Sequence, residues 1–123
     1  MWPATPSGIP GQDDLGAMSA WYAWSAIGLY PQYPGRAELL VVTPLFPNIV
    51  VRRANGAVIT ITAPDATNKL YVQGLKVNGQ DSNRAWLPET FVAAGGKLDF
   101  TLSTQPNQTW GAAAADAPPS FAP

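Results

Sequence analysis

The sequence predicts an α+β fold, with one buried N-terminal helix followed by a small antiparallel β-sheet or sandwich module. Three observations predict it. Met18, Trp21, Tyr22 and Leu29 recur at the spacing of one helical face. From Arg36 onward the period shortens to two, in short runs rich in Val, Ile and Thr. Asn55-Gly56, Asn78-Gly79 and Gly95-Gly96 punctuate those runs with turn chemistry.

Residues 1–12 are rich in Pro, Gly and Ser and read as a loop. A helix is expected over about 14–30, with Asp13 and Asp14 at its N-cap and first turn. Gly28, Pro31 and Pro34 supply its stop signals. The face opposite Met18 and Trp21 holds Ala20, Trp24 and Ile27, and no charge falls between Leu15 and Pro31. A helix apolar all round is buried all round. The β-module has its own core to fill, so further protein surface is expected over this helix: the rest of a longer chain, or a second copy.

Strands are expected at Glu38–Val42, Asn48–Ala54, Ala57–Ala63, Leu70–Val77 and Lys97–Ser103. Asn55-Gly56 reads as a two-residue hairpin turn. Asn78-Gly79 is a second turn, and Trp86–Val92 reads as extended or as a short turn of helix. Residues 105–123, ending in Ala, Pro and Ser, read as a disordered tail. The organisation is thus 1–34, loop and helix; 35–104, β-module; 105–123, tail.

Composition narrows the chemistry. A net charge of −1 gives no electrostatic footing for nucleic acid or an anionic membrane. No apolar run reaches the length of a membrane span, and residues 1–6 lack the basic and apolar regions of a signal peptide. There is no Cys and no His, which excludes thiol nucleophiles, Cys-type zinc sites and Ser-His-Asp triads. Chemistry falls to carboxylates, Lys, Tyr or an oxygen-bound hard cation.

One stretch is distinctive: Gly8-Ile9-Pro10-Gly11-Gln12-Asp13-Asp14-Leu15-Gly16-Ala17-Met18-Ser19-Ala20-Trp21-Tyr22, continuing Ala26-Ile27-Gly28-Leu29-Tyr30-Pro31. It resembles the signature of glycoside hydrolase family 92, roughly G-L-x-G-N-[DE]-D-x-G-Q-M-S-A-W-Y followed by A-L-G-x-Y-P. Downstream, Pro34-Gly35, Pro44-Leu45-Phe46, Tyr71-Val72-Gln73, Val77-Asn78-Gly79, Gly95-Gly96-Lys97-Leu98 and Gln105-Pro106-Asn107 fit the same pattern. The resemblance runs from about Gly8 to Asn107. Two positions depart from it, Gln12 where the family has Asn and Ala17 where it has Gln.

The resemblance implies a secreted or periplasmic, calcium-dependent, inverting exo-α-mannosidase acting on α-mannoside glycans. The helix would then be the last of an (α/α) barrel, and this chain its C-terminal part. Inversion requires a general acid on the leaving oxygen and a carboxylate base behind a water on the opposite sugar face. The resemblance assigns the base to the Asp13/Asp14 pair, with Asp14 preferred and Asp13 as a water-orienting or structural partner. The family's acid is a glutamate upstream; Glu38 and Glu89 do not sit in its context, so the chain alone is expected to be inactive.

Blander readings compete. Without the resemblance, Asp13-Asp14 is ordinary helix capping. Trp21, Tyr22 and Trp24 are sugar platforms in one reading and core packing in the favoured one. Ser19 and Ser25 have no base beside them in sequence. Asp65, Asn68, Asp81 and Asn83 read as turn residues rather than calcium ligands. The alternative to an enzyme segment is a non-catalytic carbohydrate-binding or interdomain-support β-module.

Overall fold

The computed structural model describes residues 3–8 and 11–120. Ile9 and Pro10 of the distinctive stretch, and residues 121–123 of the expected tail, lie outside the described residues. The architecture is α+β. Helix α1 (Ala17–Ile27) leads into strands β1 (Leu29–Tyr30), β2 (Leu39–Val41), β3 (Asn48–Arg52), β4 (Val58–Thr62), β5 (Tyr71–Val77), β6 (Gln80–Ser82) and β7 (Trp86–Leu87). Helix α2 (Glu89–Ala94), strand β8 (Gly96–Ser103) and a 3₁₀ turn at Ala114–Asp116 complete it.

The helix is shorter than expected at both ends. It begins at Ala17 because the three residues before it turn left-handed. It ends at Ile27 because Gly28 adopts φ 82°, and its N–H caps the carbonyls of Ser25 and Trp24. Leu29 and Tyr30 are therefore strand, paired with Val41 and Leu40.

Two sheets share one core. The smaller has the order β1-β2-β7 and is antiparallel. The larger has the order β3-β4-β8-β5-β6. It is mixed rather than purely antiparallel, because β4 and β8 run parallel, Ile59 to Thr62 against Gly96 to Asp99. Chain separation allows this: the β5–β6 hairpin, β7 and α2 all intervene between β4 and β8, a connection long enough for a parallel return. Leu98, Phe100 and Leu102 alternate inward along β8, and Leu29, Leu39, Val41, Ile59, Ile61 and Leu75 close over them. Each such side chain contributes about 1.5–3 kcal/mol on burial.

The turns separate two kinds of Asn-Gly. At Asn55-Gly56 the loop has three residues, not the expected two: Arg53 N–H donates to Ala57 O, Gly56 N–H to Arg53 O, and Gly56 alone is left-handed. At Asn78-Gly79 both residues have positive φ, and Val77 pairs directly with Gln80, the tight two-residue geometry.

Residues 105–120, expected as an unstructured tail, lie along the β-module. Asn107 Nδ2 donates to Gln73 O (3.2 Å) and Trp110 Nε1 to Ser82 O (3.0 Å). Trp110 also packs against the core.

Within this chain α1 is only partly covered. Ala26 is its buried residue, and Trp24 and Ile27 pack on the core. Trp21 and Tyr22 are exposed. An apolar groove of about 670 Å³ runs between α1 and the larger sheet, from Ala20 and Ala23 to Val51 and Val92.

Candidate active site

The expected helix start at Asp13-Asp14 is replaced by a sharper device. Asp14 (φ 51°), Leu15 (φ 61°) and Gly16 (φ 92°) are all left-handed. Only glycine tolerates that region freely; for other L-residues it costs roughly 1–2 kcal/mol, with Asp penalised less than Leu. Leu15 is fully exposed, so within this chain its burial does not offset the strain. Backbone strain of this kind persists where the surroundings over-determine it, and it concentrates at functional sites.

The surroundings here are the first turn of α1. Gly16, formally the N-cap, has no side chain to cap with. Asp13 does the work from three residues further back. Its Oδ1 accepts the Ser19 backbone N–H at 2.8 Å and the Ser19 hydroxyl at 2.8 Å. Its carbonyl accepts Met18 N–H (3.2 Å), and Asp14 O accepts Ala17 N–H (3.3 Å). Orphan amides at the helix start are thus met by a residue on the far side of the left-handed turn.

The two aspartates therefore differ. Asp13 is half-buried and holds the helix start. Asp14 is exposed at the apex of the turn, and among the described residues no donor reaches its carboxylate. Capping chemistry, expected of the pair, belongs to Asp13 alone. The Ser19 hydroxyl, which sequence reasoning considered only as a nucleophile, is bonded to a carboxylate; its six-residue offset from Asp13 matches no standard capping box, so spacing did not flag it.

Several other carboxylates are held in ion pairs. Glu38 lies in a bidentate pair with Arg36, with Nε–Oε2 at 3.0 Å. The Arg36 hydrogen bond, aided by a backbone hydrogen bond, holds the Glu38 carboxyl down to about 2. That is the wrong direction for a general acid, which must hold its proton near neutral pH. Glu89 opens α2 on the surface. Asp65 pairs with Lys69 (2.8 Å) across a turn, and Asp81 with Lys76 (2.7 Å). Asp81 and Asn83 also border a polar cavity of about 460 Å³ with Arg84 and Trp86.

Among the described residues no three His, Cys, Asp or Glu side chains gather as a metal cluster. Asp13 and Asp14 can offer oxygens to calcium, but a shell of about 6–8 oxygens needs donors from beyond this segment.

The downstream pieces of the distinctive pattern meet each other as structural joints. Asn78 Oδ1 accepts Lys97 N–H, and Asn78 N–H donates to Lys97 O, both at 2.8 Å. Gln73 Nε2 donates to Gln105 O at 2.8 Å. Leu45 N–H donates to Ala26 O at 2.9 Å, tying α1 to the β-module.

Comparison with known proteins accords with these joints. The model of the glycosyl hydrolase family 92 catalytic domain matches residues 1–104. An uncharacterized secreted glycosidase of Arthroderma benhamiae is 31% identical over 121 residues, covering 95% of this chain and 16% of the relative. A family GH92 α-mannosidase from Bacteroides thetaiotaomicron superposes with a TM-score of 0.86 at 36% identity, over 95% of this chain and 16% of that one. The family GH92 inverting mannosidase from the same organism gives 0.81 at 35% identity, over 90% and 15%. The chain therefore spans about 16% of the length of the relatives it matches. Over that span, in sequence and in fold, it belongs to glycosyl hydrolase family 92.

Proposed function

We propose that this chain is the part of a secreted, inverting exo-α-mannosidase that supplies the general base, and that Asp14 is that base. The observation that carries the assignment is the division of labour at the left-handed turn. Asp13 Oδ1 is occupied by both Ser19 donors, whereas Asp14 presents an exposed carboxylate from a fixed apex. A base must reach a water on the sugar face opposite the leaving group and accept its proton. The free carboxylate suits that task; the occupied one suits anchoring.

Family membership supports glycoside hydrolysis, and the relatives named as α-mannosidases support mannose as the sugar; one of them was solved with mannoimidazole bound. The Arthroderma relative's description as secreted supports export. Calcium in the whole enzyme would draw Asp13 or Asp14 oxygens together with donors from other segments. The leaving-group acid belongs to another segment too, so the chain alone turns over no mannoside.

The test is Asp14→Asn and Asp13→Asn in the full-length enzyme carrying this segment, assayed on an α-mannoside. Asp14→Asn should lower kcat by at least about 10²-fold, while the wild type releases β-mannose first in a time-resolved NMR assay. Initial release of the α-anomer, or a fully active Asp14→Asn enzyme, would overturn the proposal.

A further inference from the structure

Resting on the assignment of Asp14 as base, we infer that Ser19 is a positioning residue: through Asp13 it locks the left-handed turn that aims Asp14. Three observations carry this. Ser19 gives both its backbone N–H and its hydroxyl to one oxygen, Asp13 Oδ1, at 2.8 Å each. Asp14, Leu15 and Gly16, three of the five residues spanned by that bond, are left-handed. Neither Asp14 nor Leu15 has packing within this chain to hold it there, since both are exposed.

The logic is one of a strained loop closed by a clasp. Left-handed Asp and Leu favour relaxation to ordinary backbone. The backbone bonds Met18 N–H to Asp13 O and Ala17 N–H to Asp14 O are long, at 3.2 and 3.3 Å. The two short, charge-assisted bonds from Ser19 are the strong closure. The backbone N–H hydrogen bond survives any substitution except proline at this position, so the hydroxyl is the adjustable half. Without it the Asp13 carboxylate can swing, the turn relaxes, and the Asp14 carboxylate shifts against the water it must activate. Displacement of a reacting group by about 1 Å can cost about 10²-fold in rate. Ser19 touches neither sugar nor water in this scheme, so substrate affinity should survive.

The experiment uses the full-length enzyme with Ser19→Ala, Ser19→Thr and Asp14→Asn. Ser19→Ala should lower kcat by about 10- to 100-fold with KM changed less than about threefold. Ser19→Thr keeps the hydroxyl and should recover most of kcat. Circular dichroism and melting temperature should stay near wild type in both. Full activity in Ser19→Ala beside an inactive Asp14→Asn would overturn the clasp and leave the base assignment standing. Full activity in Asp14→Asn would sink the base assignment itself. A Ser19→Ala enzyme that loses its fold, or one whose loss appears in KM alone, would show Ser19 to be structural or substrate-facing and overturn its positioning role.

Discussion

Gly28 joins α1 to β1 and offers a quantitative test of that junction. Its φ is +82°, and a Cβ there would stand 2.9 Å from Pro44 Cβ and 2.9 Å from the Val42 carbonyl oxygen. Neither neighbour can readily retreat. Val42 N–H donates to Gly28 O at 3.0 Å, Leu45 N–H to Ala26 O at 2.9 Å, and Pro44 is fully buried. In Gly28→Ala the left-handed backbone costs about 1–2 kcal/mol. Overpacking adds about 1–3 kcal/mol. A smaller unfolded ensemble offsets about 0.4–1 kcal/mol. The expected net loss is about 3 kcal/mol. Gly35 is the internal control: its φ is +80°, but nothing lies within 4 Å of the Cβ position. Gly35→Ala should therefore lose only about 1 kcal/mol, the backbone part less the entropy gain. Urea unfolding of both variants beside the wild type, followed by tryptophan fluorescence, measures the difference, about 2 kcal/mol, provided the m-values agree. If Gly28→Ala were no less stable than Gly35→Ala, the helix–strand junction would not be close-packed and the reasoning would fail.

Leu15→Gly should stabilise the turn or leave it neutral, by about 0–1 kcal/mol, because relief of left-handed strain is partly offset by glycine's larger unfolded entropy; a loss above about 1 kcal/mol in thermal unfolding would argue against the strain. The Glu38 carboxyl, held down to about 2 by Arg36, contributes stability that is present above its unfolded value near 4.5 and is lost as pH falls through about 2. The stability gap between wild type and Arg36→Met should accordingly narrow as pH drops from about 5 to about 2; a gap that widens on acidification would refute the pairing. Trp110→Ala should destabilise by about 1.5–3 kcal/mol, since the ring packs on the core and its Nε1 bonds to Ser82 O; an unchanged unfolding midpoint would return residues 105–120 to the status of a loose tail.

The β-module was legible where side chains dictate geometry locally. Alternation in Lys97–Ser103 and in Val58–Thr62 announced one buried face, and Leu98, Phe100, Ile59 and Ile61 fill it. What local pattern cannot encode is which strands become neighbours: nothing in Val58–Thr62 marks it to receive β8 in parallel. Asn55-Gly56 and Asn78-Gly79 show the same limit at smaller scale. The dipeptides are identical, yet only the second takes positive φ at both residues; there Asn78 Oδ1 accepts the Lys97 N–H across the sheet, whereas Asn55 Oδ1 accepts the N–H of Ala57 two residues on. The 105–120 segment misled because Ala-Pro-Ser composition reads as unordered, while Asn107 and Trp110, two residues among many, provide its attachments.

The candidate site was legible as chemistry and illegible as shape, and the difference bears on how the proposed base is held. Asp-Asp ahead of an apolar helix fits capping so well that propensity alone places both residues on the helix axis. Had they sat there, both carboxylates would lie against the helix amides, where dipole and hydrogen bonds hold a negative charge in place. The left-handed run breaks that equivalence. It carries Asp13 back to the amide of Ser19 and turns Asp14 out of the helix altogether. The Asp13 carboxylate then accepts the Ser19 amide and hydroxyl, and the Asp14 carboxylate stands exposed beside it. Here the two adjacent aspartates are set apart because the backbone turns left-handed from Asp14 to Gly16. On the proposed assignment, that separation gives the strain at Asp14 and Leu15 a reason that stability alone does not.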